Sequence, residues 1–170
     1  MSEIAPPRQD EIDTFWVDAK LRANLNRLAA YWGPTELDSL QPPASAFGGT
    51  AEVADELAEL IAAGTKTATS SALWDYEAEE VDVPRRGDLE IVIDGSGHPK
   101  ALIMTTQVEV LPFAEVSAEH AAAEGEGDRS LEHWRRVHED FFTAYSSHDR
   151  GFSTDMPVVC QTFEVLYTGQ

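Results

Sequence analysis

The chain has 170 residues, with 31 acidic against 12 basic side chains and a formal net charge of −19. This length fits one domain, and a hydrophobic content of 42% supports a core, which excludes a wholly disordered chain. No apolar run approaches the ~20 residues of a membrane span. The acidic, proline-bearing start is unlike a signal peptide, so we expect a cytoplasmic protein with no membrane partner.

The charge balance and the single cysteine limit the classes of partner. An acidic surface repels polyphosphate, so a nucleic-acid role needs a local basic pocket. A nucleoside or short single strand is easier to accommodate there than a long duplex, although an acidic host proteome would also explain the charge. Cys160 alone excludes an intrachain disulfide framework and a cysteine-built zinc site, and we expect no disulfide-linked partner. The oligomeric state stays open.

The first part of the chain predicts a helical arm. Residues 8–32 have apolar side chains loosely at helical spacing, and Gly33-Pro34 ends the pattern. Residues 33–49 contain several prolines and glycines and indicate an extended connector. We therefore divide the chain into an N-terminal arm and connector, residues 1–45, and a main domain, residues 46–170.

The main domain predicts a mixture of helices and strands. A helix begins at an N-cap, Thr50, and ends near Gly64, and TKTATSSALWDYE then indicates a loop or short irregular strand. Residues 88–94 and ALIMTTQVEV predict two strands joined by a glycine turn. Two helices are expected around residues 117–124 and 130–146, and VVCQTFEVLY predicts a last strand. This order favours an α+β fold, a small mixed or mostly antiparallel β-barrel decorated by helices.

The first candidate for chemistry is the stretch Gly64-Thr65-Lys66-Thr67-Ala68-Thr69. A lysine beside hydroxyl groups can bind an anion, or, with its pKa depressed by partial burial, can activate a threonine hydroxyl as a nucleophile. The stretch lacks the spacing of a phosphate loop. The alternative is a solvated helix end at which Lys66 interacts with the helix dipole.

The second candidate is the acidic, glycine-containing stretch from His120 to Ser130. It could hold a divalent cation or present one carboxylate into a cleft, but it lacks the ligand ladder of an EF-hand. The alternative is a linker between helices in which Asp128 or Ser130 caps the next helix.

Aromatic residues and histidines supply weaker signals. Trp74 and Tyr76, together with Arg85-Arg86, have the character needed for base stacking and phosphate contact, although aromatic side chains are more often core. No paired histidine motif exists, so we expect no histidine-built metal site. His138 falls on an apolar helix stripe, which predicts a core histidine with its hydrogen bonds satisfied.

Several stretches together resemble the ASCH domain family. They are Phe47-Gly48, the helix over residues 55–64, GTKTATSSALWDYE, Pro84 with Gly87-Asp88, DGSGHPKALIMTTQVEVLPFAEV, AEGEGDRSLEHWRRVHEDFF and FSTDMPVVCQTFEVLY. The resemblance covers about residues 45–168. It implies a fold related to the PUA RNA-binding barrel, with a cleft where barrel and helices meet.

The resemblance also implies an activity. Some ASCH members are amidohydrolases that remove the acetyl group from N(4)-acetylcytidine, and at least one is a metal-dependent ribonuclease. The G-x-K-T-x-T and H-A-x-x-E stretches of the amidohydrolase place its catalytic trio on Lys66, Thr69 and Glu124. Lys66 would face the cleft and accept the proton of Thr69, whose oxygen attacks the acetyl carbonyl. Glu124 would hold the base amine and return a proton to it, which requires a raised carboxyl pKa.

The remaining expectations follow from the same resemblance. We expect the nucleoside or short single-stranded RNA to be bound by Thr67, Ser70, Trp74, Tyr76, Arg129 and Ser130. Amide hydrolysis would need no metal and no organic cofactor. Two alternatives stay open: a ribonuclease that recruits a divalent cation at the acidic bend, and an RNA-binding module without turnover.

Overall fold

The computed structural model of the chain describes residues 2–22 and 40–169. Within them lie the helices α1 (Gln9–Arg22), α2 (Ala51–Ala62), α3 (Leu73–Glu79), α4 (Ala118–Ala123) and α5 (Leu131–Ala144), with a short 3₁₀ turn at Phe113–Glu115. The strands are β1 (Ala44–Ala46), β2 (Ala68–Ala72), β3 (Leu89–Ile93), β4 (Pro99–Pro112) and β5 (Pro157–Tyr167). None of the helices in this part of the chain has the length and apolarity that crossing a bilayer requires.

The five strands form one mixed sheet in the order β1-β3-β4-β5-β2. Strand β1 pairs with β3 in parallel, whereas β3 pairs with β4, and β2 with β5, in the antiparallel direction. In chain order, β3 and β4 follow each other without a helix, and two helices, α4 and α5, lie between β4 and β5, so the chain does not form a βαβ series. The predicted α+β class, with a mostly antiparallel sheet surrounded by helices, is confirmed.

The chain divides into two compact units, and the first comprises Met1–Gly64, Gly87–Met104 and Glu164–Gln170 as far as they are described. Its core joins one face of α1 to residues of β3, β4 and β5 that point inward. The Phe15 and Tyr167 rings lie 5.0 Å apart in this core. The turn between β3 and β4 is fixed by the Asp94 carboxylate, which accepts the backbone N–H groups of Ser96 and His98.

The second unit comprises Thr65–Arg86 and Thr105–Phe163. Its core packs α4 and α5 against β2, β5 and the 3₁₀ turn, with Phe113, Trp134 and Phe142 among the buried rings. In β2, alternate residues are buried, and the register with β5 runs from Ala68↔Thr162 to Ala72↔Val158. All side chains singled out in the sequence for chemistry belong to this unit.

Most predicted elements are confirmed, and two elements were not predicted, the strand Ala44–Ala46 and the helix Leu73–Glu79. Thr50 and Ser130 cap α2 and α5 as expected. The stretch predicted as a loop or short irregular strand contains a strand over residues 68–72 and a helix over residues 73–79. The helix was not predicted because LWDYEAE, which contains helix formers, was read together with the hydroxyl-rich residues before it. The short strand β1 lies in the segment predicted as a connector. The predicted helix 8–32 is confirmed over α1, while its remainder and Gly33-Pro34 lie outside the described residues. The division at residue 45 stays a prediction.

Candidate functional site

Lys66 is buried at the start of the second unit. Its side chain is 1% exposed, and its ammonium group donates to the Ala68 carbonyl (2.8 Å), to Glu124 Oε1 (3.1 Å) and to Glu126 Oε2 (2.9 Å). An ammonium group has three donors, so these contacts use all of them. In this arrangement the charge of Lys66 is held inside the fold by two carboxylates rather than exposed, and its predicted place in the cleft stays a prediction.

A close backbone approach places Lys66 against the acidic bend. Gly125 has φ +72°, and a Cβ at this position would stand 2.5 Å from the Thr65 carbonyl oxygen. The Thr67 N–H also donates to the Ala123 carbonyl at 2.8 Å. Only glycine combines this backbone conformation with this contact. The G-x-K-T stretch and the end of α4 are thus held together by backbone, which brings Lys66 to Glu124.

Glu124 follows α4 and is the centre of a polar network. Its Oε2 atom accepts from Ser70 Oγ (2.7 Å) and from the indole N–H of Trp134, and its Oε1 atom accepts from Lys66. The Nε2 atoms of His120 and His138 each lie 3.4 Å from one of its oxygens. We call these six residues, together with Glu126, the Glu124 network. A buried carboxylate this fully hydrogen-bonded is stable in its ionised form.

The pKa of Glu124 is shifted in the direction opposite to the one that its predicted role as a proton donor requires. Burial by itself would raise this pKa, but the Lys66 ammonium and the hydrogen bonds from His120 and His138 hold it well below the ordinary value of 4.5. A carboxylate that stays ionised cannot return a proton to a leaving amine near neutral pH. The expected rise in pKa is therefore not found in this arrangement, in which Glu124 favours its ionised form, and its catalytic role stays a prediction.

His138 is buried and hydrogen-bonded, as its place on the apolar stripe predicted. Its Nδ1 donates to the Trp134 carbonyl at 2.9 Å, and its Nε2 faces Glu124. Burial would lower its pKa, but the hydrogen bond and the charge of Glu124, together with the charge of Glu126, raise the pKa above the ordinary 6.5. The carboxylates of Glu124 and Glu126 thus favour the protonated form of His138.

Ser70, rather than Thr69, meets the network. Ser70 Oγ lies 2.7 Å from His120 Nε2 and 2.7 Å from Glu124 Oε2. Because successive side chains of a strand point to opposite faces, Thr69 lies on the other face of β2, opposite Gln161 of β5. Thr67 contacts the Ala123 carbonyl through its hydroxyl at 3.3 Å. The structure therefore brings Lys66 and Glu124 together, and it turns Thr69 away from both.

The other predicted ligand-binding residues lie at the edges of this unit. Trp74 packs against the apolar core in α3, with its ring 5.2 Å from His148 and 4.8 Å from the Arg150 guanidinium, and Tyr76 is half-buried in the same helix. Exposed Arg129 donates to the Ala122 carbonyl, while Ser130 accepts the His133 N–H as a cap. These contacts support the structural alternatives for Trp74 and Ser130, and RNA contact by any of the four stays a prediction.

The acidic bend also supplies a possible set of metal ligands. Oxygen or nitrogen atoms of Glu124, Glu126 and His138 lie within 4.8 Å of one another. The Lys66 ammonium, however, stands 3.1 Å and 2.9 Å from the same two carboxylates. A divalent cation at this point would face the positive charge of the Lys66 ammonium group, which already pairs with both carboxylates. These residues therefore do not fit a divalent cation in the observed arrangement.

Two spaces in this unit differ greatly in size. The cavity beside Glu124, His133 and Trp134 has a volume of about 10 Å³, which is room for one water molecule at most. An open pocket of about 620 Å³ is lined by Pro84, Arg85, Arg86, Thr106, Gln107 and Val108. The cavity beside the Glu124 network is thus too small for a substrate, while the larger pocket is open at the surface.

Four members of the Glu124 network had no catalytic or ligand-binding role of their own assigned from the sequence: His120, Glu126, Trp134 and His138. Each carries a signal that is visible only in retrospect, since His120 precedes Glu124 by four residues and Trp134 precedes His138 by four. This spacing places two side chains on one helix face. It does not show that two helices turn those faces toward the same carboxylate.

Comparisons with known proteins agree with the fold. The family model described as ASCH domain matches residues 43–167. An ASCH domain structure from Lactobacillus crispatus JV V101 is 26% identical, covers 93% of this chain and 95% of its own, and superposes with a TM-score of 0.74. A protein structure from Enterococcus faecalis V583 is 33% identical, with coverages of 92% and 88% and a TM-score of 0.70. No curated protein matches. The chain belongs to the ASCH domain family, whose PUA-like domains are associated with RNA binding.

Proposed function

We propose that this ASCH domain binds a nucleoside or short single-stranded RNA and hydrolyses an amide on the base, with an N(4)-acylated cytidine as substrate. The substrate class comes from the family resemblance. The observation that supports a reaction is the Ser70 hydroxyl, which lies 2.7 Å from His120 Nε2. A hydroxyl within hydrogen-bond reach of an imidazole is the arrangement that a nucleophilic hydroxyl requires.

The geometry suggests roles that differ from those of the predicted trio. In the tautomer of His120 that is protonated at Nδ1, the Ser70 hydroxyl turns its proton from Glu124 Oε2 to the free Nε2 atom and its oxygen attacks the acyl carbonyl. The resulting imidazolium returns the proton to cytosine N4 as the C–N bond breaks. Water then hydrolyses the acyl-serine through the same imidazole. Glu124, 3.4 Å from His120 Nε2, stabilises the imidazolium as an ionised group. Lys66 is a positioning residue, since its three contacts hold Glu124 and Glu126 in place.

A second candidate function is RNA binding without turnover. The observation that favours it is the closed state of the Glu124 network, in which the adjacent cavity admits one water molecule at most and Lys66 has all its donors engaged. A network of this kind also serves as a structural polar core. The misfit of the acidic bend to a divalent cation makes metal-dependent RNA cleavage the weaker alternative.

One assay separates these functions. We would incubate the protein with N(4)-acetylcytidine in the presence of a chelator and follow cytidine by chromatography, comparing wild type with Ser70→Ala and Thr69→Val. Ser71→Ala is the matched control, because this neighbouring hydroxyl lies on the other face of β2. We expect Ser70→Ala to lower the rate by more than about 100-fold and the control to retain it. Thermal unfolding checks that each variant is folded.

The outcomes are distinct. Loss of activity in Thr69→Val with activity retained in Ser70→Ala would return the reaction to the trio predicted by resemblance. No cytidine from the wild type would reject amide hydrolysis. Shortening of an RNA substrate only after addition of a divalent cation would then indicate a ribonuclease, and its absence would leave an RNA-binding module.

A further inference from the structure

The open pocket of the second unit has a charge that contrasts with that of the chain. Arg85 and Arg86 are both exposed at its wall, and none of the described residues that line it carries a carboxylate. The chain as a whole has a net charge of −19, which repels phosphate from most of its surface. The residues that line this pocket therefore carry two positive charges and no negative charge.

The size and lining of this pocket fit a nucleotide better than a bare anion. Its volume of about 620 Å³ is far larger than one phosphate group requires and falls within the ~300–1,000 Å³ of small-molecule sites. Gln107 is exposed and offers both an amide donor and an amide acceptor, which suits a base edge. Pro84 and Val108 supply an apolar surface on which a sugar or base can lie.

We propose that the Arg85–Arg86 pocket binds the sugar-phosphate backbone of single-stranded RNA, with the two guanidinium groups paired to phosphate oxygens. Guanidinium groups bind phosphate through two parallel hydrogen bonds, which makes arginine suitable for this role. A single strand fits because the pocket is concave and local. A long duplex would meet the acidic surface beyond it. This inference rests on the RNA-binding part of the proposed function and assigns it a phosphate site.

The test uses the full chain and a labelled decanucleotide of single-stranded RNA. Binding is measured by fluorescence anisotropy over a series of salt concentrations for wild type and for Arg85→Gln/Arg86→Gln. The matched control is Arg135→Gln/Arg136→Gln, which removes the same charge from two adjacent exposed arginines of α5. We expect the pocket variant to bind at least about tenfold more weakly. Its salt slope should fall by about 1.4, since each phosphate contact on a single strand contributes about 0.7.

Equal losses in the two double variants would overturn the proposal, because a general charge effect would then explain the binding. So would an absence of RNA binding by the wild type, or an unchanged salt slope in the pocket variant. An RNA duplex and inorganic phosphate serve as competitors. Displacement of the decanucleotide by inorganic phosphate at an equal concentration of charge would also overturn the proposal, because the pocket would then bind an anion without recognising RNA. Hydrolysis of N(4)-acetylcytidine, which has no phosphate, is measured in parallel. If the wild type does not hydrolyse N(4)-acetylcytidine, the proposed reaction is rejected, while the result of the RNA-binding measurement still stands.

Discussion

His138 stacks on Trp134, with ring centroids 4.3 Å apart and an interplanar angle of 17°, and both rings point a nitrogen at Glu124. Four residues separate them on α5, so they occupy the same helix face. One helix thus supplies an imidazole and an indole partner to a single carboxylate, that of Glu124 at the end of α4. This pairing makes the stability of the second unit depend on pH in a defined way.

We expect the contribution of His138 to stability to be lost on the alkaline side. Its pKa is raised in the folded state above 6.5, so the stabilisation is fully present below about pH 6.5 and disappears as the pH rises through the folded value. Urea unfolding of wild type and His138→Gln across the pH range measures the difference. In a Glu124→Gln background, the same replacement should show little of this pH dependence, because the main partner is gone. A constant difference between wild type and His138→Gln would contradict the expectation.

Glu124 should act on the acidic side. Its pKa is lowered below 4.5 in the folded state, so its stabilisation is present above about pH 4.5 and is lost as the pH falls through the lowered value. The two groups together predict the greatest contribution of the network between about pH 4.5 and 6.5. Acid unfolding of wild type against Glu124→Gln, followed by circular dichroism, checks this. A variant that unfolds in acid at the same pH as wild type would exclude the predicted effect.

Lys66→Met should be strongly destabilising. The change leaves Glu124 and Glu126 without their ammonium partner, and loss of one partner of a buried pair costs about 3–5 kcal/mol. Lys100→Met is the matched control, because Lys100 is 45% exposed and pairs with Asp94 at 3.6 Å. Such exposed pairs contribute about 0–1 kcal/mol. Equal free energies of unfolding for the two variants would show that burial does not strengthen the Lys66 contacts.

Gly125→Ala and Gly151→Ala separate backbone strain from steric contact. Both glycines have nearly the same backbone angle, φ +72° and φ +73°, but a Cβ at Gly125 would meet backbone atoms of Thr65 and Lys66 while one at Gly151 would meet none of the described atoms within 4 Å. We expect Gly151→Ala to cost about 1–2 kcal/mol from conformation alone. Gly125→Ala should cost clearly more in urea unfolding. Similar costs would mean that the bend relaxes away from the Thr65 carbonyl.

Trp134→Phe tests the indole hydrogen bond to Glu124. Phenylalanine keeps an aromatic ring but lacks the N–H donor, so a lone pair of the buried carboxylate loses its partner at a cost of about 1–3 kcal/mol. Trp16→Phe, in the other unit at similar burial, controls for the smaller ring. We expect a larger loss of unfolding free energy for Trp134→Phe. A loss no greater than that of the control would assign the role of Trp134 to packing.

The sequence predicts those parts of the fold that depend on local pattern. Thr50 and Ser130 each precede a helix as expected capping residues, and the structure shows each side chain accepting a backbone N–H. Strand β5 is equally evident from its run of branched and aromatic residues. Helix α3 was missed because its N-cap, Ala72, has no side-chain cap to mark the start.

The candidate site was predictable only in part, because its members come from β2, the end of α4 and the first turns of α5. The family resemblance groups Lys66 with Glu124, and the structure places the Lys66 ammonium group in contact with the Glu124 carboxylate. It does not show the alternation of β2, which presents Ser70 to Glu124 and turns Thr69 away. The pKa of Glu124 is lowered, and not raised as expected, in part through contacts with His120 and His138. These two side chains meet at Glu124 only in the tertiary structure.

The separation of Lys66 and Glu124 along the chain, 58 residues, bears on the order of folding events. Two charges that far apart gain little from partial approach, since water solvates each of them until the surrounding apolar surface has closed. We therefore expect their contact to form after the rate-limiting step of folding, when water is finally excluded from this part of the second unit. Substitutions of Lys66 or Glu124 would then accelerate unfolding while leaving the folding rate nearly unchanged. The buried charges would thus slow the unfolding of a structure that has already assembled.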